Sequence, residues 1–416
     1  MSKIPTRGRS VVVSGMGAVA PNGLGLDAYW DGLRHGRSGV RTIDRFDVSH
    51  LPTQIAGLVD GIEASDLLPT KEIKHLPRAV VMAIAAADEA LRSAGIDAEA
   101  LSLDDRRRFG SVIGTGGAGI AFTEQQFREF YHGNRKAVSL YSVPSSTPGG
   151  FSSELSMRYG LRGPSHVLST GCTSSTDAIG HAFSLIRYGR ADRVLVGGTD
   201  APISPAVLEG FCLMKIMTPS WNASPERGSR PFSADRDGFV LGEGAWMLVL
   251  EAEEVADRRV AELCGYGSTC EAFHRVRLDE SGEEPARAMA LALEDAEVDA
   301  EAIDYVALHG TSTVLNDRIE TRAMGHAFGA RASRLPCSSV KSMIGHPQGA
   351  SGAAGVVASL LALQHQFLPP TINHDAEDAE CALDVVPNEG RQASLEHLLC
   401  NCIGFGSKNS ALVFRA

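Results

Sequence analysis

A cysteine-containing turn in the first half of the chain carries the residue best suited to covalent chemistry. Residues 166–177 read HVLSTGCTSSTD, so an apolar run passes through Gly171 and Cys172 into the start of a predicted helix. A sharp strand-to-helix turn of this kind displays a nucleophile at a helix N-terminus, where the positive end of the helix dipole favours a thiolate. We therefore predict that Cys172 is a nucleophile, although a cysteine is more often a small buried hydrophobe.

Two histidines occupy matching positions in the second half of the chain. His309 ends the apolar run in YVALHGTST, and His346 lies in the glycine-containing segment SVKSMIGHPQG. Histidines in such settings can point into a cleft, and two of them with a thiol suggest shared chemistry. A zinc site made by Cys172, His309 and His346 is the competing interpretation, because these ligand types suit zinc. Their wide spacing, and Lys341 five residues before His346, count against zinc.

Two glycine patterns fit a loose dinucleotide-binding fingerprint. They are residues 15–20, GMGAVA, and residues 114–119, GTGGAG. The fingerprint needs a helix that opens on the glycines and an acidic residue about 20 positions later. Pro21 interrupts the first candidate helix, and no acidic residue lies near Leu140 to serve the second. We interpret both as tight turns, with a nicotinamide oxidoreductase as the weaker alternative.

Composition narrows the class of protein and its compartment. The net charge of −11 counts against a nucleic-acid-binding protein, which is normally basic. The eight cysteines form no CxxC pair, which favours reduced thiols and a cytoplasmic location. The start, Met1–Pro5, leads into no apolar signal-peptide core, and the longest low-charge stretch, 349–363, is too short to span a membrane. We expect no membrane insertion.

The elements that position these residues alternate in type along the chain. Short apolar runs at 10–13, 109–113, 194–196, 246–250 and 305–308 predict buried strands, and helical spacing predicts helices at 78–93, 177–187, 285–295 and 353–364. This alternation indicates a layered α/β fold. A charged stretch at 251–259 is followed by a second strand–helix–strand pattern, which suggests two similar halves.

Together these motifs resemble the β-ketoacyl-acyl carrier protein synthases of the elongating type. The resemblance is close to the condensing enzymes of bacterial fatty acid synthesis and to the catalytic ketosynthases of type II polyketide synthases. It extends from residues 11–17, VVVSGMG, to residues 404–406, GFG, and includes residues 230–245. The Cys172, His309 and Lys341-to-His346 segments occur in the family's order at similar separations.

The resemblance implies a fold and an assembly. It implies a thiolase-like α/β fold of two pseudo-duplicated halves in five layers, α-β-α-β-α. Residues 1–255 would form the half that carries the cysteine, and residues 256–416 the half that carries both histidines. The protein would be a dimer that needs no cofactor and no metal, because its substrates arrive on the phosphopantetheine arm of acyl carrier protein.

The resemblance also implies a role for each motif. Cys172 would take the growing acyl chain as a thioester, and His309 and His346 would promote decarboxylation of a malonyl-carrier thioester. The resulting carbanion would attack the acyl group on Cys172. Neutral imidazoles can donate hydrogen bonds to the thioester oxygen as charge develops. Lys341 would belong to the polar network around the histidines, and Phe405 would gate the acyl pocket and complete an oxyanion hole with the Cys172 N–H.

Two departures from the family pattern alter these expectations. The family usually has a glutamate nine residues after His346, where this chain has Gly355. We therefore expect Lys341 to pair with another carboxylate, Asp317 or Glu320. Segments 345–352 and 402–404 also resemble the thiolases, which act on acyl-CoA thioesters with two cysteines and lack the HGTST motif. Because that motif is intact here, decarboxylative condensation is favoured over the thiolase alternative, and Cys402 is expected to be a bystander.

The acyl pocket and the partners follow from the same resemblance. Gly117 and Ser142 fall where bulky apolar residues commonly close the pocket, which predicts an open floor, with Phe211 and Phe405 as walls. Since this chain is acidic, an acidic carrier protein must dock on a local basic patch. The candidate docking residues are Lys71, Lys74, Arg78, Arg135, Lys136 and Lys215. Because Cys172 is present, the chain resembles the catalytic subunit of a type II polyketide synthase. The resemblance implies that it forms a homodimer or pairs with a cysteine-less chain-length factor.

Overall fold

Ten strands form the main sheet path of the protein. The computed structural model describes residues 8–416, so the start at Met1–Pro5 lies outside the described residues. The strands are β1 (Val11–Ala20), β2 (Phe109–Gly114), β3 (Ser165–Leu168), β4 (Arg193–Asp200), β5 (Gly244–Ala252), β6 (Ala261–Cys270), β7 (Tyr305–Ala307), β8 (Cys337–Ser338), β9 (His397–Gly404) and β10 (Lys408–Arg415). In one smaller sheet 55–57 pairs with both 40–42 and 241–242, and in another 367–368 pairs with 391–392.

Helices of nine residues or more cover the two faces of these strands. They are α1 (Leu26–Arg34), α2 (Arg78–Ala94), α3 (Ile120–Tyr131), α4 (Gly149–Tyr159), α5 (Ser174–Arg187), α6 (Pro205–Leu213), α7 (Glu283–Ala296), α8 (Val314–Phe328) and α9 (Ser351–His365). Shorter helical segments lie at 64–67, 70–73, 103–107, 142–146 and 341–344. The predicted strands and helices all fall within these elements, apart from one or two residues at their ends.

The strand order repeats between the two halves of the chain. The first half has the order β1-β5-β4-β2-β3, and the second has β6-β10-β9-β7-β8. In each half the first two neighbouring pairs are antiparallel and the last two are parallel. The halves join where Val11–Val13 of β1 pairs with Ala261–Leu263 of β6. This identical topology confirms the predicted duplication.

The helices complete five layers. On the outside, α2 packs on β1 and β5, and α7 packs on β6 and β10. Between the two halves of the main sheet, α5 and α9 pack against each other. Both central helices are rich in small residues, and a Cβ added at Gly352 would lie 1.9 Å from the Thr176 hydroxyl. Glycine is required at this contact, because the two central helices approach too closely for a side chain.

The parallel strands place the candidate residues on one edge of the fold. The Cys172 turn follows β3 and leads into α5, and His309 follows β7 just before α8. Sites in α/β folds form at the carboxyl ends of parallel strands, where such turns meet. Over residues 8–416 no helix is both long and apolar enough to cross a bilayer.

Candidate active site

A tight turn and a carboxylate anchor hold Cys172. Gly171 has φ of +73°, and a Cβ there would lie 3.1 Å from the Phe405 carbonyl oxygen, so the turn requires glycine. Asp177, in the first turn of α5, accepts hydrogen bonds from the hydroxyls of Thr170 and Thr173 at 2.5 and 2.9 Å. Tyr266 of β6 donates a third at 2.8 Å. The second half of the chain thus supports the turn that presents the cysteine.

The resting form of Cys172 is the thiol. Burial raises the pKa of Cys172 to about 11, against the influence of the Phe405 N–H, its own N–H and the Lys341 ammonium. The sequence-based expectation of a favoured thiolate was therefore incomplete, because desolvation outweighs these groups. The two backbone N–H groups act on the sulfur as donors, which is the pairing expected of an oxyanion hole. The thiol has to lose its proton during acyl transfer.

Glu320 fixes the loop that carries His309. Its carboxylate accepts the backbone N–H groups of His309 and Gly310, each at 2.7 Å, and the side-chain amide of Asn401. Burial raises the pKa of Glu320 to about 7, opposed by these donors. Asp317 accepts the N–H groups of Thr311 and Phe232 in the same way. Both acidic residues therefore hold the HGTST loop in place.

The ring of His346 has a defined tautomer. Its Nδ1 accepts the backbone N–H of Gln348 at 3.1 Å and lies 3.0 Å from the Ser351 hydroxyl. Burial, aided by the nearby Lys341, holds the pKa of His346 well below its usual range, so the ring is neutral. Because Nδ1 accepts an N–H, the single ring proton must lie on Nε2. His346 is therefore a hydrogen-bond donor through Nε2.

The nucleophile and both histidines converge. The Cys172 sulfur and one nitrogen of each histidine ring lie within 4.8 Å of one another. The rings of His309 and His346 meet edge to face, with centroids 5.3 Å apart. Burial, Lys341 and His346 together hold the pKa of His309 well below its usual range. The same three atoms would suit a zinc ion, but the buried Lys341 ammonium beside them disfavours a cation.

Lys341 does not pair with a carboxylate as expected. Its Nζ donates to the carbonyl oxygen of His309 at 2.6 Å. Neither Asp317 nor Glu320 forms an ion pair with it in the described chain, because both carboxylates are occupied by backbone N–H groups. Burial lowers the pKa of Lys341, partly opposed by nearby acidic groups. A Cβ at Gly355 would meet only Ala307, at 3.9 Å, so the helix has room for a Cβ at this position.

An apolar cavity of about 160 Å³ opens at the cysteine. Cys172, His309, His346, Phe211 and Phe405 all line it. Phe405 is 37% exposed, as a residue at a pocket entrance would be. The other lining residues are Ile216, Phe239, Val276, Arg277, Leu278, Thr311, Thr313, Leu315, Asn316, Gln348, Ile403 and Gly404.

Two residues expected at the pocket floor do not line this cavity. The N–H of Gly117 donates to the buried carboxylate of Asp200, which also accepts the N–H of Gly349. Ser142 begins a short helix between Tyr141 and Val143, which are exposed. Gly117 therefore lies at the buried Asp200 carboxylate and Ser142 lies between exposed residues, and neither lines the cavity at Cys172.

The candidate docking cations fall into two groups. Arg78 binds the buried Glu243 together with Arg45, so it neutralises an internal carboxylate, and its expected role in docking stays a prediction. The other candidates are exposed, and the structure shows no ion pair for them over residues 8–416. They are Lys71, Lys74, Arg135, Lys136 and Lys215.

Sequence reasoning missed or misjudged three residues of the site. Cys402, which was expected to be a bystander, contacts both the Cys172 carbonyl oxygen and Nδ1 of His309 through its sulfur. Arg277 lines the cavity as an exposed cation, in a segment that showed no motif. Asp177 anchors the nucleophile turn, and its position in the first turn of α5 was the available signal.

Comparisons with known proteins agree with this geometry. The N-terminal domain model of the beta-ketoacyl synthases matches residues 8–256, and the C-terminal domain model matches residues 260–375. Together they include the cysteine turn and both histidine segments.

Individual relatives span the whole chain. A putative polyketide beta-ketoacyl synthase 1 of Streptomyces halstedii is 41% identical over 97% of this chain and 97% of its own length. A 3-oxoacyl-[acyl-carrier-protein] synthase 2 of Coxiella burnetii is 37% identical over 97% of this chain and 98% of its own. The structure of the ishigamide ketosynthase/chain length factor superposes with a TM-score of 0.88 at 33% identity, over 98% of this chain and 99% of that one. With its site geometry, these matches place the chain in the beta-ketoacyl synthase family of condensing acyltransferases.

Proposed function

We propose that this chain elongates an acyl chain by decarboxylative Claisen condensation with malonyl-acyl carrier protein. The observation that carries the proposal is the convergence of one thiol and two neutral imidazoles at the end of an apolar cavity. The apolar lining suits an acyl chain, and the three groups supply what a two-step thioester reaction needs. The product belongs to a fatty-acid or polyketide pathway.

In the first step Cys172 accepts the acyl group. The Cys172 sulfur attacks the carrier thioester, the carbon–sulfur bond to the pantetheine thiol breaks, and the thiol proton passes to the departing sulfur. The tetrahedral oxyanion lies against the backbone N–H groups of Cys172 and Phe405, which already act on the resting sulfur. Phe405, exposed at the cavity, would gate entry of the chain.

In the second step the histidines stabilise an enolate. The malonyl thioester loses carbon dioxide, and the electron pair forms an enolate whose oxygen accepts the N–H of His309 and of His346. The enolate carbon then attacks the acyl carbonyl, and the Cys172 sulfur leaves. Burial keeps both rings neutral, so they donate hydrogen bonds without holding a competing proton. Lys341 fixes the His309 backbone and adds positive potential.

The substrates arrive on acyl carrier protein and no cofactor or metal is required. The proposed docking patch comprises the exposed cations Lys71, Lys74, Arg135, Lys136 and Lys215. The boundary between the two halves lies at residues 255 and 256, between β5 and β6. The proposed cellular location of the protein is the cytoplasm.

The protein acts as a dimer. The proposed interface is the outer face of the first half, where β3 is an edge strand and large apolar side chains on α3, α4 and the turn between them are exposed. Exposed apolar side chains grouped beside an edge strand are typical of an interaction surface. These side chains are Ile120, Phe127, Phe130, Tyr131, Leu140, Tyr141, Val143 and Met157. The partner is a second copy of this chain or a cysteine-less chain-length factor.

Reconstitution tests the function and the assembly together. The purified chain is incubated with acyl-carrier protein and malonyl-carrier protein, with and without a cysteine-less homologue, and carrier-bound products are measured by mass spectrometry. Elongation by the chain alone establishes a homodimer, and elongation only with the homologue establishes a heterodimer. Failure under both conditions, or full activity that a chelator abolishes, would contradict the proposal.

A further inference from the structure

Cys402 is a buried thiol that contacts two residues of the active site without lining its cavity. It lies in β9, and its Sγ is 3.2 Å from the carbonyl oxygen of Cys172. The same sulfur is 3.4 Å from Nδ1 of His309. One thiol therefore spans the backbone of the nucleophile and the ring of a histidine. Since Nδ1 is occupied in this way, Nε2 is the ring nitrogen left for substrate.

The single S–H of Cys402 has two possible acceptors. If it points to the Cys172 carbonyl, Nδ1 of His309 either carries a proton that only the sulfur can accept, which leaves Nε2 bare, or is bare itself and has no donor. If it points to Nδ1, the neutral ring carries its proton on Nε2. Sulfur is a weak acceptor, so the first arrangement leaves a buried ring N–H poorly satisfied or a buried ring nitrogen without a donor, and both are costly. The second arrangement gives Nδ1 of His309 a hydrogen-bond donor. The Cys172 carbonyl oxygen then loses only the S–H, which is a weak donor.

We propose that Cys402 is a positioning residue, which donates its S–H to Nδ1 and holds His309 as the Nε2–H tautomer. The inference rests on the proposed function, because an Nε2–H is needed where charge develops on the malonyl thioester oxygen. It gives His309 the same tautomer as His346, whose Nδ1 accepts the Gln348 N–H. Two ring donors are then oriented before the charge appears, which is how preorganised donors accelerate a reaction.

Replacement of the donor separates this role from simple packing. In Cys402→Ala the ring loses its partner, and malonyl decarboxylation should fall about tenfold, less than the hundredfold or more for loss of a whole oxyanion donor. Acyl loading of Cys172 should change less than twofold. Cys402→Ser keeps an O–H donor at the same place and should restore decarboxylation. Equal loss in both half-reactions of the alanine variant, or no rescue by serine, would overturn the proposal.

The tautomer can also be read directly in the unmodified protein. A neutron crystal structure of the deuterium-exchanged protein locates the deuterium on the His309 ring. Deuterium on Nε2 with Nδ1 bare supports the proposal, and deuterium on Nδ1 overturns it even if the variants do not fold. If the unmodified protein loads acyl groups but never decarboxylates malonyl-carrier protein, the proposed function fails instead, whatever the tautomer.

Discussion

The ring of His309 stands edge to face with the ring of His346, with centroids 5.3 Å apart. His309 follows the parallel strand β7, and His346 lies in a glycine-containing loop. Two separate segments of the chain therefore position the two rings. Two neutral donors held this close can share one oxygen. In the proposed function this arrangement serves the enolate step and not the loading of the cysteine.

His309→Ala and His346→Ala should therefore affect the two half-reactions unequally. We expect malonyl decarboxylation to fall about a hundred- to a thousandfold in each, because one oxyanion donor is lost. Acyl loading of Cys172 should fall far less. Release of carbon dioxide measures the first reaction, and the mass of the acylated protein measures the second. Equal losses in both would mean that the histidines support the fold or a metal.

The pH dependence follows from the neutral histidines. Burial and Lys341 hold both histidine pKa values well below the usual 6.5, so the rings stay neutral until the solution is well below that pH. The histidines should therefore contribute no titration of the decarboxylation rate near pH 6.5, whereas Glu320, whose pKa burial raises to about 7, titrates in that range. The lowered histidine pKa values decrease stability as the pH falls below 6.5, because the unfolded chain takes up protons that the folded rings refuse, and the raised pKa of Glu320 acts in the opposite direction. A ring of His309 or His346 that titrates with a pKa near 6.5, followed by NMR, would contradict buried, neutral rings.

The contact between the two halves at Asp177 should matter for loading. Tyr266→Phe removes one of three hydrogen bonds to a buried carboxylate, at a cost of about 1–3 kcal/mol in the free energy of unfolding. Because Asp177 anchors the Cys172 turn, acyl loading should slow as well. Tyr188→Phe, at an exposed tyrosine, is the matched control. Denaturant unfolding and loading rates that equal those of the control would show that this contact is dispensable.

Carrier docking should depend on local cations despite the net charge of −11. Reversal of charge in Lys74→Glu with Lys215→Glu should raise the KM for carrier-bound substrate and leave turnover of a small thioester mimic unchanged. The control, Arg92→Glu with Arg190→Glu, reverses two exposed cations outside the patch. Similar losses with both substrates would remove these residues from the docking surface.

Chain length should respond to substitutions at Gly117 and Ser142. Gly117→Ile with Ser142→Phe places bulk where the acyl channel is predicted to continue into a partner subunit. A Cβ at Gly117 already lies 3.2 Å from Ile120, so the new side chain has to displace that residue outward. We expect shorter products with normal loading of short acyl groups, measured by mass spectrometry of carrier-bound products. Unchanged product length would show that no channel passes there.

Sequence reasoning reached the motifs but not the contacts between distant segments. Cys172, His309 and His346 were found because each follows a strand or glycine turn, a local signal that the sequence carries. The contacts of Cys402 were missed because they depend on β9 meeting the turn before α5, across 230 residues. Lys341 was assigned the wrong kind of partner for a similar reason. The sequence supplies acidic candidates, but only the fold shows that backbone N–H groups already occupy them.

The central claim is that Cys172 carries the acyl chain through the reaction. Intact-protein and peptide mass spectrometry after exposure to acyl-carrier protein should show one acyl group, mapped to Cys172. Addition of malonyl-carrier protein should then discharge it as a β-ketoacyl-carrier product lengthened by two carbons. Cys172→Ala should fold normally and acquire no label. An acyl group on Cys402, or a label on Cys172 that malonyl-carrier protein cannot discharge, would contradict the account.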